Sequence, residues 1–88
     1  MINSIGITLN IMHGLRQTAS GLQEAVEDNL AHANKTNQQM EVAQINLDAF
    51  SDLISYANKY RLIGTEEINE LSTKYNSLKN KYSAKIAQ

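Results

Sequence analysis

The amino-acid sequence predicts an all-α protein of two to three helices. Three observations support this prediction: apolar residues recur every three or four positions through three stretches, proline is absent, and a polar cluster and a glycine separate the stretches. The chain has 88 residues, which is one domain's length. At this length folding buries only roughly 60–65% of the surface that the unfolded chain exposes, so a monomer is expected to be marginally stable.

The first eleven residues allow two interpretations. Ile5, Ile7, Leu9 and Ile11 alternate with small or polar residues, as in a strand, whereas Ile5, Leu9 and Met12 have helical spacing. No basic region precedes the apolar residues and no small-residue cleavage site follows them, so a cleaved secretory signal is not expected. Residues 1–11 are therefore predicted to be either flexible or signal-like without being cleaved.

The first helix is predicted over residues 12–34. Its two glycines, Gly14 and Gly21, each cost up to about 1 kcal/mol relative to alanine, which indicates either a weak first half or a close approach of another helix. The polar segment Asn34–Asn37 predicts a turn that caps the next helix, although the absence of glycine and proline there would also allow helix one to continue. The apolar stripe is Leu9, Met12, Ala19, Leu22, Val26, Leu30 and Ala33.

The second helix, predicted over residues 38–63, has the strongest pattern. Two apolar sets lie nearly opposite each other and give an apolar arc about 220° wide, against roughly 100° for an ordinary surface helix. One neighbouring helix cannot cover this arc, so the helix is expected to lie between at least two others. The first set is Met40, Ala43, Leu47, Phe50, Ile54 and Ala57; the second is Val42, Ile45, Ala49, Leu53, Tyr56, Tyr60 and Ile63.

The third helix is predicted over residues 66–86. Gly64 is expected to end the second helix in the left-handed conformation that follows many helices, and Thr65 is expected to be the N-cap of the third. Glu66 and Glu67 then lie in a first turn, where the helix dipole favours acids. The short connection makes helices two and three an antiparallel hairpin. The apolar seam is Ile68, Leu71, Tyr75, Leu78, Tyr82 and Ile86.

Composition and motifs argue against most chemical functions. The chain has no cysteine and two histidines, so disulfides and a structural zinc site are not expected. Its net charge of −1 argues against a nucleic-acid binder, and no stretch reaches the roughly 18 apolar residues of a membrane span. Asp48 and Asp52 lie one turn apart but have no ligand partners nearby. The sequence therefore predicts neither an enzyme nor a metal or cofactor site.

Charge is distributed unevenly along the chain. The segment 24–58 contains six acids and one base, whereas residues 71–88 contain four lysines and no acid. Lysines near a helix carboxyl end often only complement the helix dipole. Alternatively, the basic end of one copy could dock on the acidic middle of another.

The segment Met40–Tyr56, MEVAQINLDAFSDLISY, resembles the second helix of type III secretion needle and pilus subunits. Those proteins tend to have Gln, then Leu three residues later, then an aromatic residue followed by Ser, here Gln44, Leu47, Phe50 and Ser51.

Two earlier segments extend the likeness. Residues 20–27, SGLQEAVE, resemble the first helix of needle subunits, and residues 1–10 are similar to the uncleaved secretion signal of type III substrates. The resemblance covers about residues 12–60, and the chain continues for a full helix beyond it. It implies a secreted subunit of a helical filament, for which the lack of disulfides suits export through a narrow channel.

Two functions follow as hypotheses. The first is a structural subunit that assembles with itself, as a filament at the cell surface. The second is a small cytoplasmic binding module, such as a secretion chaperone or a phage-type regulator, that forms a dimeric four-helix bundle or captures a partner helix. A third arrangement is a three-helix monomer whose first helix folds over the second. The residues predicted to mediate self-association are Leu47, Phe50, Leu53, Ile54, Tyr56, Tyr60, Ile68, Leu71, Tyr75, Leu78 and Tyr82.

Overall fold

The computed structural model describes residues 4–32 and 37–87, with side chains for residues 13–32 and 38–87. Within these ranges the chain forms three α-helices, and the all-α prediction is confirmed. Residues 34–36 of the predicted turn, with Thr36 as one of the two residues predicted to cap the next helix, lie outside the described residues. The other, Asn37, is the first residue of the second helix. The helices are α1 (Ser4–Ala31), α2 (Asn37–Lys59) and α3 (Thr65–Ile86).

The three helices form an up-down-up bundle. Asn29, near the end of α1, contacts Gln39, near the start of α2, so these two helices are antiparallel. The short connection 60–64 returns the chain along α2 as α3, which is the predicted hairpin. Helix α1 lies against both of the others, so the chain adopts the three-helix arrangement in which the first helix folds over the second.

Helix α1 begins earlier than expected. Residues 4–11 are helical rather than a strand or a separate segment. Arg16 of α1 pairs with Glu67 of α3 at 3.6 Å, so these two residues lie at the same level of the bundle. Twelve residues of α1 come before Arg16, whereas only two residues of α3 come before Glu67. At 1.5 Å per residue α1 therefore extends about 15 Å past the start of α3. The molecule is correspondingly elongated, with extents of 54 × 19 × 15 Å.

The three helices enclose an apolar core. Phe50 is fully buried, with its ring centroid 6.2 Å from that of Tyr75, and Val26 and Leu78 are also fully buried. Among the side chains that the structure describes, no polar or charged residue is buried. The core consists of Ala19, Val26, Leu30, Ala43, Leu47, Phe50, Leu71 and Leu78.

One polar bridge joins α1 to α2 beside this core. The Nδ2 of Asn29 donates to Oε1 of Gln39 at 2.8 Å, and the Nδ2 of Asn46 donates to Oδ1 of Asn29 at 3.0 Å. These amides are partly buried, and a buried amide without a partner costs about 1–3 kcal/mol. The bridge therefore satisfies polar groups that the packing of the two helices removes from water.

Helix α2 ends at Lys59, four residues before the predicted end. Arg61 has a φ of 53° and is the left-handed residue that closes the helix. The Leu62 N–H donates to the Ala57 carbonyl at 2.9 Å, and the Arg61 N–H donates to the Asn58 carbonyl at 3.3 Å. This pair of bonds is the Schellman motif. The prediction that Gly64 ends the helix is wrong.

Gly64 instead precedes α3 as its N-cap. Its φ of −78° and ψ of 171° are extended, and its carbonyl accepts from the Ile68 N–H at 3.1 Å, the first bond of the helix. Thr65, predicted to be the cap, is the first helical residue. A Cβ at residue 64 would lie 2.8 Å from Glu67 Oε2, a flexible group that can move aside.

Replacing Arg61 by glycine should stabilise the protein. An L-residue in the left-handed region costs about 1–2 kcal/mol, and replacing it by glycine removes this cost. Part of that gain is lost because glycine has more conformational freedom in the unfolded chain. We expect a net gain of about 0.5–1 kcal/mol, measured by urea or thermal unfolding. Asn58→Gly, inside the same last turn, is the matched control and should lower stability by up to about 1 kcal/mol. A loss of stability in Arg61→Gly would contradict the assignment of Arg61 as the helix terminator.

Candidate functional site

The second apolar set of α2 is only partly covered by the rest of the chain. Ile45 is 64% exposed, Tyr56 is 57% exposed and Tyr60 is 55% exposed, whereas Val42 and Ala49 are half-buried. Four of these residues share one side of α2, and Tyr60, the residue after its end, continues that side; we name the five the α2 outer face. Helices α1 and α3 bury Ala43, Leu47, Phe50 and Ala57 of the first set, partly cover Met40 and Ile54, and leave the α2 outer face accessible along much of its length.

The carboxyl-terminal half of the α2 outer face is aromatic. The rings of Tyr56 and Tyr60 lie one turn apart, with centroids 4.7 Å apart and planes tilted by 50°. The Lys59 Nζ lies 5.4 Å from the centroid of the Tyr60 ring, within the range of a cation–π contact. Tyrosine offers a large apolar ring and a hydroxyl that tolerates water, a combination that is enriched at protein interfaces.

The structure divides the predicted self-association residues into three groups. Leu47, Phe50, Leu71 and Leu78 are buried, so they are assigned to the core of one chain rather than to a contact between copies. The reason is that α1 packs over α2, as in the three-helix arrangement, and supplies the cover that the other two hypotheses assign to a second copy or a partner. Two predicted residues, Tyr56 and Tyr60, are exposed. The half-buried group consists of Leu53, Ile54, Ile68, Tyr75 and Tyr82.

Ile45 is the exposed apolar residue that the predicted site omitted. It belongs to the second apolar set, and its position opposite the core residues of α2 was the available signal. Ile86, at the end of α3, is also exposed, by 60%, although it lies on the predicted seam.

Acidic side chains line the α2 outer face. At 100° per residue, Glu41, Asp48 and Asp52 lie on the strip of α2 next to Ile45, and all three are exposed. On α3, Lys81 pairs with Glu27 of α1 at 3.5 Å, an exposed pair of the kind that contributes little to stability. Lys74 is exposed and has no ion-pair partner within residues 4–32 and 37–87.

The remaining titratable side chains form no chemical centre in the described part of the chain. His13 and His32 are exposed and bond only to neighbours one turn away on α1. Asp48 accepts a bond from Gln44 at 2.8 Å. The described residues contain no group of three side chains that could hold a metal ion. None of the described helices combines the length and the apolar character needed to cross a membrane.

A cleft lies between α1 and α3, near the amino-terminal end of α3. Its apolar lining residues are Leu15, Ile63 and Leu71, and its volume is about 240 Å³. Its charged lining residues are two bases and two acids: Arg16, Lys74, Glu67 and Glu70. The cleft is smaller than the roughly 300–1,000 Å³ of typical small-molecule sites, so it has room for a side chain or two rather than for a metabolite. We name it the α1–α3 cleft.

Gly14 and Gly21 do not mark contacts within the described residues. A Cβ added at either position would meet no atom within 4 Å outside the local helix backbone. The prediction that they could mark a close approach of another helix of the same chain is therefore wrong.

Comparison with known protein families, curated proteins and solved structures gives no significant match to this chain.

Proposed function

We propose that the protein is a structural subunit that acts by associating with copies of itself through the α2 outer face. The observation that carries the proposal is the row formed by Ile45, Tyr56 and Tyr60, three large apolar or aromatic side chains each more than half exposed on one helix. Isolated exposed apolar residues are ordinary, but a row of them along one helix face is typical of an interaction site.

The energetics support association through this face. Burying a large apolar side chain contributes about 1.5–3 kcal/mol, so covering three of them offers a substantial driving force before the cost of association. The helix that carries this face is also held in place within the chain, because its residues Ala43, Leu47 and Phe50 are buried in the core. An interface on such a helix needs little ordering when the partner binds.

The likeness of residues 12–60 to needle and pilus subunits gives the proposal its more specific form, a secreted subunit of a helical filament. The absence of cysteine is compatible with export of the unfolded chain. The role proposed is structural, with no catalytic step, metal or cofactor. The partner is the protein itself.

Single substitutions on the α2 outer face should weaken association without unfolding the chain. We expect Ile45→Glu and Tyr56→Glu each to lower the association constant by roughly ten- to hundredfold, because a carboxylate replaces an apolar group that becomes buried on assembly. Light scattering and sedimentation velocity over a concentration series measure the effect. The wild-type mass should rise with concentration, and negative-stain microscopy should show whether growth is open.

Matched controls lie next to both positions on the polar side of the helix. Gln44→Glu and Ser55→Glu add the same charge at exposed residues adjacent in sequence, and both should associate like the wild type. A wild-type chain that stays monomeric at high concentration would overturn the proposal. A dimer of fixed size would identify the protein instead as a discrete binding module.

A further inference from the structure

We propose that the α1–α3 cleft is the acceptor for the tyrosines of the α2 outer face of a neighbouring copy. This inference rests on the proposed function and names the two surfaces that meet. The two surfaces are made of different residues, because the cleft is lined by α1, α3 and Ile63 of the connection, whereas Tyr56 lies on α2 and Tyr60 directly follows it. The contact is therefore heterologous, with each copy offering one donor and one acceptor.

The size and lining of the cleft fit an aromatic side chain. Its volume of about 240 Å³ is too small for a typical ligand, and three of its lining residues, Leu15, Ile63 and Leu71, are apolar. Tyrosine is suited to such a mixed lining because its ring can contact apolar side chains while its hydroxyl bonds to polar ones. Tyr56 and Tyr60 are the exposed tyrosines of the described chain.

The charges around the two surfaces are complementary. Lys74 and Glu70 line the cleft, and neither has an ion-pair partner among the residues that the structure describes. Asp52 lies one turn before Tyr56, and Lys59 lies beside Tyr60. The cleft is lined by two bases and two acids, of which Arg16 and Glu67 pair with each other, so Lys74 and Glu70 are the charges left for a partner. The tyrosines have one acid and one base beside them, so opposite charges can be brought together when a tyrosine enters the cleft.

The assignment separates two kinds of assembly. If the α2 outer face paired with itself, a symmetric and closed dimer would result. A donor that fits a distinct acceptor leaves one of each unused at the ends of every oligomer, so that assembly continues as a filament or closes as a ring. The proposal therefore predicts growth beyond the dimer.

Cross-linking tests the contact because the chain has no cysteine of its own. Ser20→Cys places a thiol on the cleft, and Ala49→Cys places one on the α2 outer face. With a short bismaleimide, we expect neither variant alone to give a cross-linked dimer, a mixture of the two to give the dimer, and a doubly substituted chain to give a ladder. Gln44→Cys, on the polar side of α2 and about three turns from Tyr56, replaces Ala49→Cys in the control mixture and should give no product.

The outcomes distinguish the inference from the proposed function. Self-cross-linking of Ala49→Cys alone, or no product in the mixture while the wild type still associates, would overturn the cleft as acceptor and leave self-association intact. A wild type that does not associate would overturn both. As a second measurement, Ser20→Trp should fill the cleft and abolish growth beyond the monomer, whereas undiminished growth would contradict the inference.

Discussion

Phe50→Ala should remove about 3–5 kcal/mol from the free energy of unfolding, which is the loss typical of a fully buried phenylalanine. Phe50 is 0% exposed and contacts the ring of Tyr75 at 6.2 Å between centroids. At roughly 0.05–0.15 kcal/mol per residue, a chain of this length has a total stability of only about 4–13 kcal/mol. The variant should therefore lose a large part of this stability and unfold at a clearly lower urea concentration than the wild type.

Urea unfolding followed by circular dichroism measures this loss. Phe50→Leu keeps an apolar side chain of similar shape and should cost less than about 1.5 kcal/mol. If Phe50→Ala were as stable as Phe50→Leu, the side chain would not be at the centre of the core, and the arrangement of the three helices would need revision.

Leu78→Ala should cost about 2–5 kcal/mol and should release α3 before the other two helices. Leu78 is 1% exposed, and it and Leu71 are the buried side chains of α3. The contact of α1 with α2 is more extensive and also contains the Asn29 bridge. Loss of one of two anchors should therefore loosen α3 selectively.

Amide hydrogen exchange checks the order of release. In Leu78→Ala, protection should fall most along residues 65–86 and least in the facing parts of α1 and α2. Lys79→Ala, at the adjacent exposed position, should change stability by no more than about 0.5 kcal/mol. Equal loss of protection in all three helices would show that the bundle opens as one unit.

The positions of α2 and α3 could be predicted closely because their apolar residues recur every three or four positions, a spacing that fits a helix and does not fit a strand. The carboxyl-terminal end of α2 and the start of α1 could not. At the end of α2 the sequence offers Gly64 as the obvious left-handed residue, but the chain closes the helix at Arg61, where the Leu62 and Arg61 N–H groups reach the last turn. At residues 4–11 the apolar residues fit both the spacing of a strand and that of a helix. In the structure the segment is helical, as a continuation of α1.

The candidate site was predictable only in part. Both apolar sets of α2 are large enough to form a core, so periodicity alone cannot say which one faces inward. Which set faces inward depends on the side of α2 against which α1 packs. The polar contact between Asn29 of α1 and Asn46 of α2 marks that side, and no apolar pattern does. Tyr56 and Tyr60 belong to the exposed set, whereas Leu47 and Phe50, predicted on the surface that copies share, are buried within the chain. The sequence allows α1 to cover α2, as the three-helix arrangement, but does not decide between that cover and a second copy.

The Asn29 bridge also determines how α1 and α2 are aligned along their lengths. Apart from Phe50, the core consists of alanine, leucine and valine side chains, which would make similar apolar contacts if one helix slid past the other by a turn, about 5.4 Å. Such a slip would separate Asn29 from Gln39 and Asn46 and leave three amides without their partners. The three amides thus select one axial alignment of α1 and α2. They thereby determine the position of Tyr56 and Tyr60 along the axis of α1.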